Sequence, residues 1–235
     1  MASDVVVLFD LDNTLLDNDR VEADLHRHLE AEVGPASAAR YWAIFEELRT
    51  ELGYADYLGA LQRYRLETSF DPRLLSMSAY LVDYPFANRL YPGSLDAIDR
   101  ARAWGPAVLL SDGDVVFQPR KAQRSGVWDA VEGRVLIYVH KERMLADVAA
   151  RFPARHYVML DDKRRILSAM KAQWGTRLTT VWPRQGHYAT DAAQVAPYPP
   201  ADVTLDRIDE FTACDLDTLR RAAARPSKAA GGGTV

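Results

Sequence analysis

Five consecutive apolar residues, Val5-Val6-Val7-Leu8-Phe9, run directly into Asp10-Leu11-Asp12-Asn13-Thr14. A continuous, β-branched run is the pattern of a strand covered on both faces, as in a parallel sheet; a strand with one wet face would alternate. Two carboxylates one residue apart then stand at the strand's C-terminal end, where open α/β sheets bind their ligands. Short apolar runs recur at Ala107 to Leu110, Val135 to Val139, Tyr157 to Leu160 and Leu178 to Trp182, with a weaker one from Ala201 to Leu205. Helical periodicities lie between them: Leu95, Ile98 and Arg102 before Gly105; Leu145, Val148 and Phe152 before Pro153; Ile166, Met170 and Trp174 before Gly175. The alternation predicts an α/β fold, a doubly wound parallel sheet with right-handed crossovers.

The first strand breaks this rhythm. Between it and the next apolar run the chain shows helical periodicity and no strand pattern. Val21, Leu25, Leu29 and Val33 form one stripe, closed by Gly34-Pro35; Tyr41, Phe45, Leu48 and Leu52 form a second, closed by Gly53. A third helix is expected from about Ala55, and a fourth from about Asp71 around Leu74, Tyr80 and Leu81. Pro85 and Tyr91-Pro92-Gly93 mark the return to the sheet. The expected organisation is a core of residues 1–16 and 88–225, an all-helical insertion at 17–87, and a flexible tail at 226–235 ending in alanines and glycines.

Composition narrows the function. A chain of 235 residues, 48% hydrophobic, can bury a sizeable core without covalent staples. Its 29 basic and 33 acidic side chains offer no general attraction to nucleic acid or to an anionic membrane, so neither is expected as a partner. One cysteine, Cys214, allows no internal disulfide. The N-terminal apolar run is too short for a signal peptide and no stretch approaches the ~20 apolar residues of a membrane span, so a cytoplasmic protein is expected.

A carboxylate can attack phosphorus covalently, and a second one beside it can donate and then remove a proton. Two like charges crowded together call for a cation, and Mg²⁺, which prefers oxygen ligands, answers that need. The histidines do not suggest another metal: His26 and His28 are two apart and face different sides of a helix, and the rest are scattered. Tyr41, Trp42, Phe45, Tyr57 and Tyr64 fall at helical spacing, which is first of all the pattern of a helical core.

With Asp10, Asp12 and Thr14 after a buried strand, the chain resembles the haloacid dehalogenase superfamily, whose first motif is Asp-x-Asp-x-Thr or Val. By this resemblance Asp10 is the nucleophile and Asp12 the general acid/base, with the Asp10 carboxylate and the Asp12 carbonyl holding Mg²⁺. Ser111, ending the run Leu109-Leu110, resembles the second motif; its hydroxyl and the Asp112 amide would bind the phosphoryl oxygens. Lys141, after the Val135 run, fits the third motif, a lysine that stabilises the charge shared by nucleophile and phosphate. Glu142 stands where the family commonly has proline, and Lys121 is the competing lysine. Asp161 and Asp162, after Val158-Met159-Leu160, resemble the paired-acid form of the fourth motif, with Asp162 the metal ligand and Asp161 binding directly or through water. One of the two could instead cap the helix that follows. The insertion lies where the superfamily's first class of cap belongs.

The resemblance implies a Mg²⁺-dependent phosphatase acting on a small phosphomonoester. The superfamily's dehalogenases and phosphonatases lack an acid where Asp12 stands. A phosphomutase or phosphotransferase would use the same apparatus. A catalytically weak binding or regulatory module is the reading from another class, motivated by Glu142 and by Ile166 and Leu167 where longer fourth motifs carry a distal acid.

Overall fold

The computed structural model describes residues 2–68 and 71–224, so the expected tail at 226–235 lies outside the described residues. Strand β1 (Ser3–Phe9) is followed by four helices, α1 (Asn18–Val33), α2 (Pro35–Leu52), α3 (Tyr57–Glu67) and α4 (Arg73–Asp83). The chain then runs α5 (Ser94–Arg102), β2 (Ala107–Asp112), α6 (Phe117–Ser125), α7 (Val127–Ala130), β3 (Val135–Tyr138), α8 (Leu145–Arg151) and β4 (Ala154–Leu160). It ends with α9 (Arg164–Trp174), β5 (Leu178–Pro183), α10 (Gly186–Thr190), α11 (Ala192–Val195), β6 (Val203–Leu205) and α12 (Leu216–Ala223). All six strands coincide with the apolar runs in the sequence.

The strands form one parallel sheet in the order β3-β2-β1-β4-β5-β6. The chain fills one side of β1 first and the other side afterwards, so the order reverses between β1 and β4, the place where such sheets leave a crevice for a ligand. Central position explains the unbroken apolar composition of β1: Val5 through Phe9 are each fully buried. Val5, Val7 and Phe9 face a core shared with α5, α6 and the four inserted helices. Val6 and Leu8 face the other layer, against Leu145 and Val148 of α8 and Ile166, Leu167 and Met170 of α9.

The inserted helices carry their own signals. Asp17 caps α1 by accepting from the Arg20 amide, Gly34 ends it at φ 84° with Pro35 opening α2, and the Asp56 side chain caps α3 through the Gly59 amide. The stripe Val21, Leu25, Leu29 and Val33 is buried, as are Tyr41, Phe45, Tyr57 and Tyr64. His26 stacks on Trp42 and His28 on Tyr80, so the two imidazoles leave α1 on different sides. No helix of the described residues is long and apolar enough to cross a membrane.

Candidate active site

The Asp10 amide donates to Leu160 O at 2.9 Å, and Phe9 pairs with Leu160 in the sheet. Asp10 and Asp161, the next residues of the two strands, therefore emerge side by side at the reversal point. With Asp162 they make a buried cluster in which one carboxylate oxygen of each lies within 4.8 Å of the others. Lys141 enters from the turn after β3. Its Nζ lies 2.5 Å from Asp10 Oδ1, 2.7 Å from Asp161 Oδ2 and 3.3 Å from Leu110 O. The Lys141 amide donates to Asp112 Oδ1 at 2.7 Å, so the side chain of Asp112 fixes the turn that carries the lysine. Glu142 fixes it from the other side: Arg165 donates to Glu142 Oε1 at 3.1 Å and Gln173 to Glu142 O at 2.7 Å, tying the turn to α9.

Charge in this cluster is costly. Burial pushes the Asp10 carboxyl up to about 7, against the opposing pull of Lys141. Burial raises Asp162 well above the carboxylate range, against Lys163. Burial also penalises the Lys141 ammonium, but Asp10 and Asp161 facing it prevail and hold it above the ordinary lysine range. Asp161 Oδ1 accepts from the Lys163 amide at 2.8 Å, and its Oδ2, which makes no hydrogen bond among the described residues, is ion-paired with Lys141 at 2.7 Å. Asp162 has no such partner among the described residues, although both its oxygens are buried. Helix α9 starts without a side-chain cap, so capping accounts for neither acid. Three buried carboxylates, one of them unpartnered, with no sulfur or nitrogen donor among them, suit a hard divalent cation.

The loop bearing Asp10 and Asp12 is fastened at three points. Asn13, at φ 60°, accepts through Oδ1 from the amides of Asn18 (3.0 Å) and Asp19 (3.2 Å), joining the loop to the start of α1. Thr14 Oγ1 accepts from the Asp162 amide at 3.0 Å, and Thr14 O accepts from Gln185 Nε2 at 3.1 Å.

Asp12 is separate from the cluster, and its side chain is held by residues of α6. Lys121 Nζ lies 2.9 and 3.0 Å from its two carboxylate oxygens. Gln118 Nε2 donates to Asp12 Oδ2 and to Ser111 Oγ, both at 3.0 Å. Both candidate lysines are thus in the site, with different partners: Lys141 holds Asp10 and Lys121 holds Asp12. No motif in the sequence marks Gln118 or the pairing of Lys121 with Asp12. A signal existed, because Phe117, Gln118, Lys121, Ala122 and Ser125 are the buried face of α6, a stripe that spends two of five places on long polar side chains.

Above these residues lies a cavity of about 240 Å³, lined from the sheet side by Asp12, Asp112 and Lys121 and from the inserted helices by Glu22, Arg49 and Tyr57. Gly53, at the end of α2 and in the left-handed conformation, sits against the His140 ring, where a Cβ would stand 3.2 Å from Cε1. The inserted helices cover the crevice.

Residues 5–172 match the family described as haloacid dehalogenase-like hydrolase. A haloacid dehalogenase-like hydrolase from Burkholderia xenovorans LB400 is 66% identical, with 91% of this chain and 99% of that chain covered and a TM-score of 0.86. The HAD-hydrolase YfnB from Bacillus subtilis, bound to magnesium, shares 16% identity over 90% and 98% of the two chains at a TM-score of 0.57. The L-2-haloacid dehalogenase from Xanthobacter autotrophicus shares 15% identity over 91% and 98% at a TM-score of 0.60. The last two likenesses are of fold. No curated protein matches the chain.

Proposed function

The chain belongs to the haloacid dehalogenase-like hydrolase family, and on that premise we propose that it is a Mg²⁺-dependent phosphatase of small phosphomonoesters. The observation that carries the reading is the unpartnered, buried carboxylate of Asp162 beside Asp10 and Asp161. Asp10 and Asp162, with Asp161 and the Asp12 carbonyl contributing, would hold a divalent cation, whose positive charge would favour ionised Asp10 and stabilise the negative charge of a phosphoryl group. An apolar or cationic pocket would serve a haloacid equally well without such a cluster.

In the proposed reaction the Asp10 oxygen not held by Lys141 attacks phosphorus in line. A P–O(Asp10) bond forms, the ester P–O bond breaks, and Asp12, ion-paired with Lys121 until its Oδ1 takes up the proton of the incoming phosphomonoester monoanion, passes that proton to the departing oxygen. Water then attacks the aspartyl phosphate, Asp12 takes the water proton, and the P–O(Asp10) bond breaks to release orthophosphate. Ser111 and the Asp112 amide hold phosphoryl oxygens, and Lys141 neutralises charge shared between them and Asp10. A cavity of this size beneath the inserted helices favours a small soluble substrate over nucleic acid, a membrane or a folded phosphoprotein.

The test is phosphate release from a panel of small phosphomonoesters, with Mg²⁺ and with chelator, by wild type and Asp10→Asn. Metal-dependent release lost in the variant is expected. Full activity of Asp10→Asn would overturn the mechanism, and transfer to an acceptor without free phosphate would redirect the reading to a phosphotransferase.

A further inference from the structure

The hydrolytic reading asks Asp12 to present a proton to the leaving oxygen and then to take one from water, and its carboxylate is partly exposed at the cavity wall. A free aspartate there would sample several rotamers. This one is held by three contacts from a single helix: Lys121 Nζ reaches both oxygens at 2.9 and 3.0 Å, and Gln118 Nε2 reaches Oδ2 at 3.0 Å. Lys121 is itself fixed. Its side chain is 1% exposed, Nζ donates to Asn18 Oδ1 at 2.8 Å, and the ammonium lies 5.0 Å from the Phe117 ring and 5.7 Å from that of Tyr57. A lysine buried this completely needs such partners, because taking an ammonium out of water is otherwise prohibitive.

The helix that carries Lys121 is anchored in turn. Arg120 donates to Val82 O at 3.1 Å, and Arg124 to Asp83 O at 2.7 Å and Tyr84 O at 3.2 Å, where α4 hands the chain back to the sheet. Helix α6 is therefore tied to the end of the inserted helices through its arginines and to their start through Lys121 and Asn18. Lys141, on Asp10, leaves no lysine role in the cluster for Lys121 to fill.

We propose that Lys121 is a positioning residue: with Gln118, and anchored on Asn18, it aims the Asp12 carboxylate at the leaving oxygen. This rests on the phosphatase reading. Loss of aim penalises substrates in proportion to their need for a proton. A nitrophenolate departs without one, whereas a phenolate benefits from it.

The experiment measures kcat/KM, which reports transfer to Asp10, for 4-nitrophenyl phosphate and phenyl phosphate with wild type, Lys121→Met and Asn18→Ala, with melting temperatures recorded for each. Lys121→Met is expected to lose about tenfold or more additional kcat/KM on phenyl phosphate relative to 4-nitrophenyl phosphate. Asn18→Ala, which leaves the lysine in place and removes its anchor, should show the same bias at smaller size. Equal losses on both esters, whether from a structural defect or from a lost contact to phosphate, overturn the proposal. Failure of wild type to cleave either ester overturns the phosphatase reading. The crystal structure of Lys121→Met then judges the positioning role alone: a rotated Asp12 supports it and an unmoved one overturns it.

Discussion

The hydroxyl of Thr14 accepts a hydrogen bond from the backbone N–H of Asp162 at 3.0 Å, across 148 residues of chain. The bond joins the loop bearing Asp10 to the loop bearing the unpartnered acid, at the sheet's reversal point, and both partners are buried. Thr14→Val keeps the side chain's shape and removes the acceptor, leaving a buried N–H unsatisfied. A loss of about 1–3 kcal/mol of stability is expected. Because the bond also sets where Asp162 sits, the variant should bind Mg²⁺ more weakly in titration calorimetry. Destabilisation with unchanged metal affinity would show that the bond serves the fold alone.

The unpartnered carboxylate of Asp162 gives a prediction of unusual sign. In metal-free protein a charge at Asp162 is opposed by burial and has no hydrogen bond to offset it. Folding at neutral pH without metal therefore forces Asp162 to take up a proton; Asp162→Asn removes that requirement, so the chelated variant should unfold at a higher temperature than chelated wild type, by about 1 kcal/mol in stability. Adding Mg²⁺ should reverse the order. At one hundred times Kd the ion stabilises wild type by about 2.7 kcal/mol, a rise of roughly 5–10 °C for a domain of this size. The variant should show little of that rise. A wild-type melting temperature indifferent to Mg²⁺ would count against the proposed metal site.

Much of this arrangement is legible in the chain. The six strands are the apolar runs because parallel strands are buried on both faces and need no alternation, so β1 is recognisable from Val5 to Phe9 alone. The carboxylates are legible because they follow those strands directly, and Lys141 only through the family resemblance, which left Lys121 as its competitor. Side chains that reach the site from helices are harder to see. Gln118 and Lys121 look like solvated residues of a polar helix until α6 is known to turn them inward. Gln185 follows β5 and reaches back to Thr14, a pairing that no local pattern encodes. Glu142 departs from the residue common at its place in the family, and only the structure shows it bonded to Arg165 and carrying the Gln173 contact on its carbonyl. Local periodicity reports which residues are buried together along one element; it is silent on which polar pairs meet across elements.

Gly186 and Asn13 occupy left-handed conformations, at φ 69° and φ 60°, and meet each other. A Cβ on Gly186 would stand 2.5 Å from Asn13 Cβ, so the close approach as well as the backbone demands glycine. Gly186→Ala should therefore cost more than the ~1 kcal/mol of left-handed strain, reaching about 2–3 kcal/mol, and should lower kcat through the loop that carries Asp10 and Asp12. Gly126, at φ 85° with open space around it, is the internal control, and Gly126→Ala should show the backbone cost only. Equal melting temperatures for the two variants would mean that the Asn13 loop yields freely.

His156 gives the fold a pH dependence far from the site. It stands on β4, and its Nε2 lies 2.8 Å from Thr179 Oγ1, whose own proton is donated to Leu219 O at 3.0 Å. The threonine oxygen therefore accepts from His156, which assigns the neutral tautomer protonated on Nε2. Burial, with Arg220 and Lys171 nearby, lowers the imidazole from 6.5 to about 4. The unfolded chain takes up the proton first as pH falls, so stability is lost from about pH 6.5 down to about pH 4 and levels off below that. His156→Gln keeps a donor for Thr179 and removes the titration. Urea unfolding between pH 4 and pH 7 should show a flatter profile for this variant than for wild type. Parallel profiles would mean that carboxylates alone set the acid limit of the fold.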